Sequence, residues 1–321
     1  MTESIVAVRN AVKAHLEKME AGDVVLVAVS GGADSLALAY ATLKESTPLA
    51  IRVIAVTIDH QLQEQSGAQA LKVEKQLREM GYHDVIIEKV VVATESGIEA
   101  GARDARYNAL TEIAKKEHAA KIFLGHTRDD QAETVLLGLA RGSGTRSLSG
   151  MATENGIYIR PLLALTCEET VSACREAGIE FWNDPHNSNT EFFRVKVRRN
   201  VLPVLEENIG PGISAALARS AALLRDDADA LDAIAESEIS SLDLRNLDCQ
   251  ALEQLPRAIR TRILRRAIYA AGAPSGSITA DHVASAEALV TSWKGQGQVS
   301  LPGGVKVERI SGRLSLLARS N

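Results

Sequence analysis

Short apolar runs alternate with helix-forming stretches through the first half of the chain. Residues 24–29, 51–58, 85–92 and 121–125 have the length and the aliphatic content of buried strands. Residues 4–20 repeat apolar positions at helical spacing and predict an amphipathic helix before the first strand. This alternation predicts an α/β fold, a doubly wound parallel sheet whose ligands bind outside the carboxyl ends of its strands.

The last third of the chain has a different pattern. Residues 214–240 read as one long helix rich in Ala and Leu, and residues 249–271 carry five arginines on a helical pattern. Short strands are expected near the end, at 299–301, 305–310 and 314–317. We therefore predict three parts: an N-terminal domain over 1–211, a linker helix over 212–240 and a small, mostly helical C-terminal domain over 241–321. The arginines suit either contacts to RNA or surface salt bridges with nearby acids.

Composition limits the class of protein. Of 321 residues, 45% are hydrophobic and 24% are charged, which is ordinary for a soluble globular chain. No apolar run is long enough to cross a bilayer and residues 1–10 lack a signal-peptide pattern, so we expect a cytoplasmic protein without a membrane partner. The net charge is −5, so a nucleic acid would have to meet a local basic surface. The three cysteines form no C-x-x-C pair and are expected to be reduced thiols.

The turn after the first predicted strand, S-G-G-A-D-S at residues 30–35, has the composition of a phosphate-binding loop. Its two glycines let the backbone approach an anion, the following helix start supplies N–H groups, and its two serines add hydroxyl donors. Asp34 would repel phosphates unless a cation lay between them, which favours a hard divalent metal such as Mg²⁺. The loop lacks the lysine of a G-x-x-x-x-G-K-[ST] motif. The alternative is a turn that only joins a strand to a helix.

Two further groups of polar residues lie at predicted strand ends or helix starts. Arg103 and Arg106 share a face near the start of the helix after the third strand, where Arg106 suits either a bound anion or a surface ion pair. His126, Asp130 and Glu133 fall at i, i+4 and i+7 after the fourth strand and are predicted to share one helical face. That face suits a metal or phosphate contact, or a carboxylate pair that binds an ammonium group. A solvated acidic helix start is the alternative.

Basic segments supply candidates for contact with RNA. F-F-R-V-K-V-R-R at residues 192–199 places two aromatic residues beside four cations, Arg194, Lys196, Arg198 and Arg199. Such a segment can contact the RNA backbone and stack bases, or it can form a solvated charged face. R-G-S-G-T-R at residues 141–146 predicts a flexible basic loop.

The loop S-G-G-A-D-S resembles the signature of the PP-loop ATP pyrophosphatases. The wider set of motifs is similar to that of the tRNA(Ile)-lysidine synthetase family and covers most of residues 22–205; it comprises E-A-G-A-R-D-A-R-Y, H-T-R-D-D-Q-A-E-T, R-G-S-G-T-R, R-P-L-L, N-D-P-H-N and F-F-R-V-K-V-R-R-N-V-L-P. The resemblance implies a PP-loop, adenine nucleotide alpha-hydrolase-like fold and an ATP-dependent ligase. The expected substrates are free L-lysine and the wobble cytidine of a tRNA(Ile) with a CAU anticodon.

The resemblance also implies roles for the candidate residues. ATP would be held by Ser30, Gly31, Gly32, Ala33, Asp34 and Ser35. Mg²⁺ would be held by Asp34 and Asp130. The reaction centre would be lined by Arg106, His126, Asp130 and Glu133. Because the lysine ε-amine has a pKa of about 10.4 and must lose a proton before it attacks, our own hypothesis is that Asp130 or Glu133 holds and deprotonates it.

The chain departs from the family pattern in two places. Gln61 and Gln63 stand where the family usually has a glycine and an arginine, and Val195 stands where it commonly has an asparagine. Two other functions remain open on sequence alone. One is a different PP-loop transferase, such as a sulfur transferase, which the missing cysteine pairs disfavour. The other is an ATP-binding module without turnover, for which the acidic face and the basic segments are superfluous.

Overall fold

The computed structural model describes residues 3–61, 66–93, 97–142, 144–182, 193–274 and 276–317, without the side chains of residues 98 and 99. They fall into two compact units. Unit 1 comprises the described residues of Met1–Ala140 and Gly150–Ser220, and unit 2 those of Arg141–Ser149 and Ala221–Asn321. The chain therefore enters unit 2 twice. The predicted domain limits at 211 and 240 stay a prediction.

Unit 1 is built around a mainly parallel sheet. Its elements in chain order are α1 (Glu3–Leu16), β1 (Val24–Ala28), α2 (Ala33–Ser46), β2 (Arg52–Asp59), α3 (Ser66–Met80), β3 (Asp84–Lys89), α4 (Ile98–Lys116), β4 (Lys121–Leu124) and α5 (Arg128–Ala140), followed after the first passage through unit 2 by β5 (Glu154–Asn155), β6 (Tyr158–Ile159), α7 (Cys167–Glu176), α8 (Phe193–Lys196) and α9 (Leu202–Asn208). The strand order is β3-β2-β1-β4-β6-β5, and all pairs are parallel except the short β5–β6 pair. A π-helical turn, Val197–Val201, joins α8 to α9.

Both faces of this sheet are covered. Along β1, Val25 and Val27 point into a core cluster that includes residues of α1, α2, α3 and α7. Leu26, one position out of phase, points into a second cluster with Leu110 and Ile113 of α4. This period of two follows from strand geometry, and burial on both sides is why the strands read as continuous apolar runs. The predicted α/β fold class is confirmed.

The strand order places a switch point beside β1. β2 pairs with one side of β1 and β4 with the other, so the connections after β1 and β4 lead to opposite directions of the sheet. In open α/β sheets a crevice opens where the order reverses, at the carboxyl ends of the two strands. Residues 30–35 follow β1 and His126 follows β4, so the topology brings both to that crevice.

Unit 2 combines helices with a small antiparallel sheet. Its elements are α6 (Thr145–Leu148), α10 (Ile213–Ile239, of which residues from Ala221 belong here), β7 (Asn246–Asp248), α11 (Cys249–Gln254), α12 (Arg257–Ala270), α13 (Ala280–Thr291), β8 (Val299–Ser300), β9 (Lys306–Ile310) and β10 (Arg313–Leu317). The sheet order is β7-β10-β9-β8. The three C-terminal strands were predicted from the sequence, whereas β7 was not.

Two local predictions in unit 2 were wrong. The helix predicted over 249–271 is interrupted, because Leu255 and Pro256 are extended and proline cannot donate a hydrogen bond to the preceding turn. The flexible basic loop predicted at 141–146 instead leads into α6, and Arg146 of that helix forms ion pairs with Asp229 (2.6 Å) and Asp232 of α10. Ser143 lies outside the described residues.

The arginines of α12 mostly have acidic partners within unit 2. Arg260 is buried and donates to Glu287, and exposed Arg257 donates to the same carboxylate. Arg262 and Arg266 form ion pairs with Asp232 and Glu236. Salt bridges therefore account for four of these five cations. No helix within the described residues is both long enough and apolar enough to cross a membrane.

Candidate active site

The loop at residues 30–35 turns back on itself. The Ser35 hydroxyl donates to the Gly32 carbonyl (2.9 Å), and the Ser30 N–H donates to Ser35 Oγ (3.1 Å). Gly31 has φ = +88°, and a Cβ there would lie 2.6 Å from Val73 Cγ2, so both backbone conformation and space require glycine. Gly32 caps α2 without a side-chain hydrogen bond from any described residue. The first N–H groups of α2 are therefore available to an anion.

Asp34 lies in the first turn of α2 and is held by α7. The Thr170 hydroxyl donates to Asp34 Oδ1, and the Cys167 thiol lies 3.9 Å from Oδ2. Burial raises the pKa of Asp34 to about 6, and the hydrogen bond from Thr170 opposes that shift. The negative charge of Asp130 raises the pKa further, as expected for two carboxylates that face one region. A cation between them would relieve this repulsion.

Arginine side chains surround His126. Burial, and then the charges of Arg106 and Arg160, hold the pKa of His126 well below its ordinary value of 6.5. The imidazole is therefore neutral at pH 7. His126 Nδ1 and Arg106 Nε are both buried and lack a hydrogen-bond partner among the described residues. A recess that combines cationic side chains with unsatisfied polar atoms suits an anionic ligand.

The prediction that His126, Asp130 and Glu133 share one helical face was wrong in part. α5 begins at Arg128, so His126 lies in the connection before the helix. Asp130 lies in the first turn, where its Oδ2 accepts the Thr127 N–H (2.9 Å). The helix start is therefore defined by the Thr127–Asp130 contact, and His126 reaches the crevice from the end of β4.

Arg198 connects two of the three acids of α5, Asp130 and Glu133. Its Nε donates to Glu133 Oε1 (2.5 Å) and its Nη2 donates to Asp130 Oδ1 (3.1 Å). The Glu133 side chain is 0% exposed and that of Arg198 is 43% exposed. Burial raises the pKa of Glu133, and the Arg198 hydrogen bond and charge oppose the rise. Glu133 Oε2 is buried and has no partner among the described residues.

These groups surround a cavity of about 530 Å³, a volume in the range of small-molecule sites. The predicted site residues on its wall are Ser30, Gly32, Ala33, Asp34, Ser35, Arg106, His126, Asp130, Arg194 and Arg198. Within the described part of the chain, Gly31 and Glu133 support wall residues rather than line the cavity themselves. Lys196 and Arg199 are exposed and likewise outside the described wall. No cluster of three or more His, Cys, Asp or Glu suited to a metal occurs among the described residues.

Several residues in the cavity wall, and Thr170 behind it, were not predicted from the sequence. Thr170 and Cys167 reach Asp34 from α7. The capping box of Thr166 and Glu169 is a sequence signal for the start of α7, but no sequence signal shows that α7 packs beside Asp34 of α2. Trp182 also lines the cavity. Residues 183–187, the core of the N-D-P-H-N motif, and Gln63 lie outside the described residues.

Gln61 stands at a position where the family pattern usually has a glycine, and its backbone conformation is one that favours glycine. Its φ is +52°, in the left-handed region, and its N–H donates to Asp59 Oδ1 (3.0 Å). The side-chain amide also donates to the Val90 carbonyl (3.4 Å). A non-glycine residue in this region costs about 1 kcal/mol, which these hydrogen bonds offset.

The fold and the loop define an ATP-binding domain of the PP-loop class. A family model described as a PP-loop domain matches residues 5–205, and one described as a TilS substrate binding domain matches residues 247–315. A tRNA(Ile)-lysidine synthase of Thermobifida fusca is 50% identical over 98% of each chain, and one of Streptomyces coelicolor is 50% identical over 90% of this chain and 84% of the relative. This chain belongs to the tRNA(Ile)-lysidine synthase family.

A solved structure supports the fold alone. The U34-tRNA thiolase NcsA from Methanococcus maripaludis, with its [4Fe-4S] cluster, superimposes with a TM-score of 0.58 at 18% identity. The match covers 69% of this chain and 80% of the thiolase. Identity at that level says nothing of a shared reaction.

Proposed function

We propose that this protein ligates free L-lysine to C2 of the wobble cytidine in the CAU anticodon of tRNA(Ile). The observation that carries the proposal is the meeting, in one cavity, of the loop at residues 30–35 after β1, a cationic recess after β4 and the Asp130 carboxylate of α5. The 50% identity to two named tRNA(Ile)-lysidine synthases, over 98% and 90% of this chain, supports the same reaction.

The reaction requires activation of a poor electrophile. The cytidine O2 attacks the α-phosphorus of ATP, the bond to the β-phosphate oxygen breaks and pyrophosphate leaves. The lysine ε-amine then attacks C2, the C2–O2 bond breaks and AMP leaves with that oxygen. The amine has a pKa of about 10.4 in water, so it must lose a proton before it can attack.

The residues of the cavity suit these needs. The N–H groups of residues 32–35 and the two serine hydroxyls would bind the phosphates. Arg106, beside neutral His126, would stabilise charge that develops at the α-phosphate. Asp130 lies on the wall and would hold the lysine ammonium; Glu133 lies behind Arg198 and would act through it.

The donor set near Asp34 fits Mg²⁺. Asp34 and Asp130 offer carboxylate oxygens, which this ion prefers, and their mutual repulsion favours a cation. When bound, Mg²⁺ would neutralise phosphate charge. Thr170 would keep the Asp34 carboxylate oriented toward the cavity.

Contacts to RNA are proposed for the basic segment after the cavity. Arg194 and Arg198 line the cavity, whereas Lys196 and Arg199 are exposed and suited to backbone phosphates. The C-terminal region that matches the substrate-binding family model would add further contacts to tRNA. The reaction would take place in the cytoplasm.

The direct test is incubation with labelled lysine, ATP and tRNA transcripts that differ only at the wobble base. We expect lysine incorporation into the CAU transcript alone, with one pyrophosphate and one AMP per lysine. Release of ADP, or incorporation that ignores the wobble base, would overturn the proposal. For the lysine site, Asp130→Asn is expected to raise the KM for lysine; unchanged KM and kcat would remove Asp130 from that role.

A further inference from the structure

Trp182 is fixed against the phosphate-binding loop. Its backbone N–H donates to the Gly31 carbonyl (2.9 Å), and Gln76 of α3 donates to the Glu180 carbonyl two residues earlier. Between them, Phe181 packs against the main core cluster. Three consecutive residues, 180–182, are therefore held in place, and half-buried Trp182 lines the cavity.

One side of the cavity wall is formed by β2 and α3. Its apolar residues are Val56, Ala70 and Val73, and the same two elements also supply polar residues, among them Thr57, Asp59, Ser66 and Gln69. Gly31 links Trp182 to this side of the wall, because Gly31 packs on Val73 and accepts the Trp182 N–H.

We propose that the Trp182 indole stacks on the adenine of bound ATP. The inference rests on the proposed use of ATP as the substrate of this cavity. Phosphates bound at residues 32–35 place the attached base within one ribose of the loop, where Val56, Ala70 and Val73 offer apolar surface to a planar ring and Thr57 and Gln69 offer polar groups to its edge. The cytidine must instead reach Arg106 and Asp130. Base–aromatic stacking gives the protein affinity for the base rather than for the phosphates.

The chain offers a clean fluorescence test, because it contains two tryptophans and the other, Trp293, lies in unit 2 beneath the Arg309 guanidinium. In Trp293→Phe, Trp182 is the sole indole. Titration with ATP, without tRNA or lysine, is expected to quench its emission with saturation. Inorganic tripolyphosphate, which has the phosphates but no base, is expected to compete with ATP without quenching.

A kinetic arm separates stacking from a general effect on the loop. Trp182→Leu is expected to raise the KM for ATP about 5-fold or more with little change in kcat, and Trp182→Phe to restore most of the affinity. The inhibition constant of tripolyphosphate should stay unchanged in both variants. Thermal unfolding of each variant identifies any that fails to fold; if Trp182→Leu does not fold, the fluorescence titration of Trp293→Phe with ATP and tripolyphosphate carries the test.

Three outcomes would overturn the inference: ATP binding seen by calorimetry without quenching, equal weakening of ATP and tripolyphosphate in Trp182→Leu, or quenching that requires tRNA. The last would assign the indole to an RNA base. Because the titration omits lysine and tRNA, it tests the contact between Trp182 and the base of ATP even if the protein fails to transfer lysine.

Discussion

Removal of Arg198 should leave a buried charge without a partner. The Glu133 side chain is fully buried, Arg198 binds its Oε1, and Oε2 has no partner among the described residues. Breaking a buried ion pair from one side costs about 3–5 kcal/mol, but the Arg198 side chain is 43% exposed and water screens the pair. We therefore expect Arg198→Ala to lower the free energy of unfolding by about 1–3 kcal/mol at neutral pH.

The loss should depend on the charge of Glu133. In the Glu133→Gln background, Arg198→Ala leaves a neutral amide, so the second substitution should cost at least about 1 kcal/mol less than it does alone. The pH dependence gives the same sign. Burial raises the folded-state pKa of Glu133 above its unfolded value of about 4.5, so ionisation destabilises the fold as pH rises above that value. Arg198→Ala should therefore approach wild-type stability as pH falls from 7.5 toward 5.

The assay is urea unfolding of the four proteins of the cycle, followed by circular dichroism at pH 7.5 and pH 5. Equal losses from Arg198→Ala in both backgrounds would refute the coupling. So would a loss in Arg198→Ala that is independent of pH. Either result would mean that the guanidinium stabilises the chain by packing alone.

Three other predictions follow from neighbouring features. Gly31→Ala places alanine at an unfavourable φ with its Cβ 2.6 Å from a Val73 methyl, so it should lower the unfolding free energy, measured in urea, by about 2–4 kcal/mol. A Cβ at Gly32 would lie 3.8 Å from its nearest neighbour, Ser30 Oγ, so Gly32→Ala should lower that free energy by less than about 1 kcal/mol. Arg260 and Arg257 both pair with Glu287, but the Arg260 side chain is 10% exposed and that of Arg257 is 73% exposed. Arg260→Met should lower the unfolding free energy by about 3 kcal/mol and Arg257→Met by less than about 1 kcal/mol; similar losses in the two variants would contradict the reasoning. The pKa of His126 is lower in the folded chain than in the unfolded chain, so as pH falls the unfolded chain binds a proton before the folded one does. The unfolding free energy should therefore fall below pH 6.5 by up to about 1.4 kcal/mol per pH unit. In His126→Gln, the part of the change in urea midpoint between pH 7.5 and 5.5 that is due to His126 should be lost.

Local pattern was enough to locate the parts of the site that follow strands. The loop at 30–35 and His126 lie next to apolar runs, and the rule that ligands bind at carboxyl ends of parallel strands placed both at one crevice. The contacts between distant segments could not be predicted in this way. Thr170 meets Asp34 across 136 residues, and periodicity carries no information about which helix packs beside which.

The basic segment shows a different limit. The sequence gives no reason to assign different roles to the four cations within residues 194–199, yet in the structure they have different contacts. Arg198 lines the cavity and binds Glu133 and Asp130, whereas Lys196 lies outside the described wall. Composition predicts that a segment is basic, but the turn between α8 and α9 decides which guanidinium faces the acids. The interruption at Pro256, by contrast, has a local signal, because proline disfavours helical backbone at the residue before it; the prediction of one helical stretch over 249–271 overlooked that signal.

The two separate passages of the chain through unit 2 limit how that unit can be isolated. A fragment that began at Ala221 would keep Asp229 and Asp232 but lose Arg146, with which both now form ion pairs; only Asp232 would keep a second ion pair, with Arg262, among the described residues. It would also lose the Ser149 carbonyl that accepts a hydrogen bond from Arg225. The C-terminal region is therefore not a simple appendage of the chain, and a cut at a single point would not release it whole.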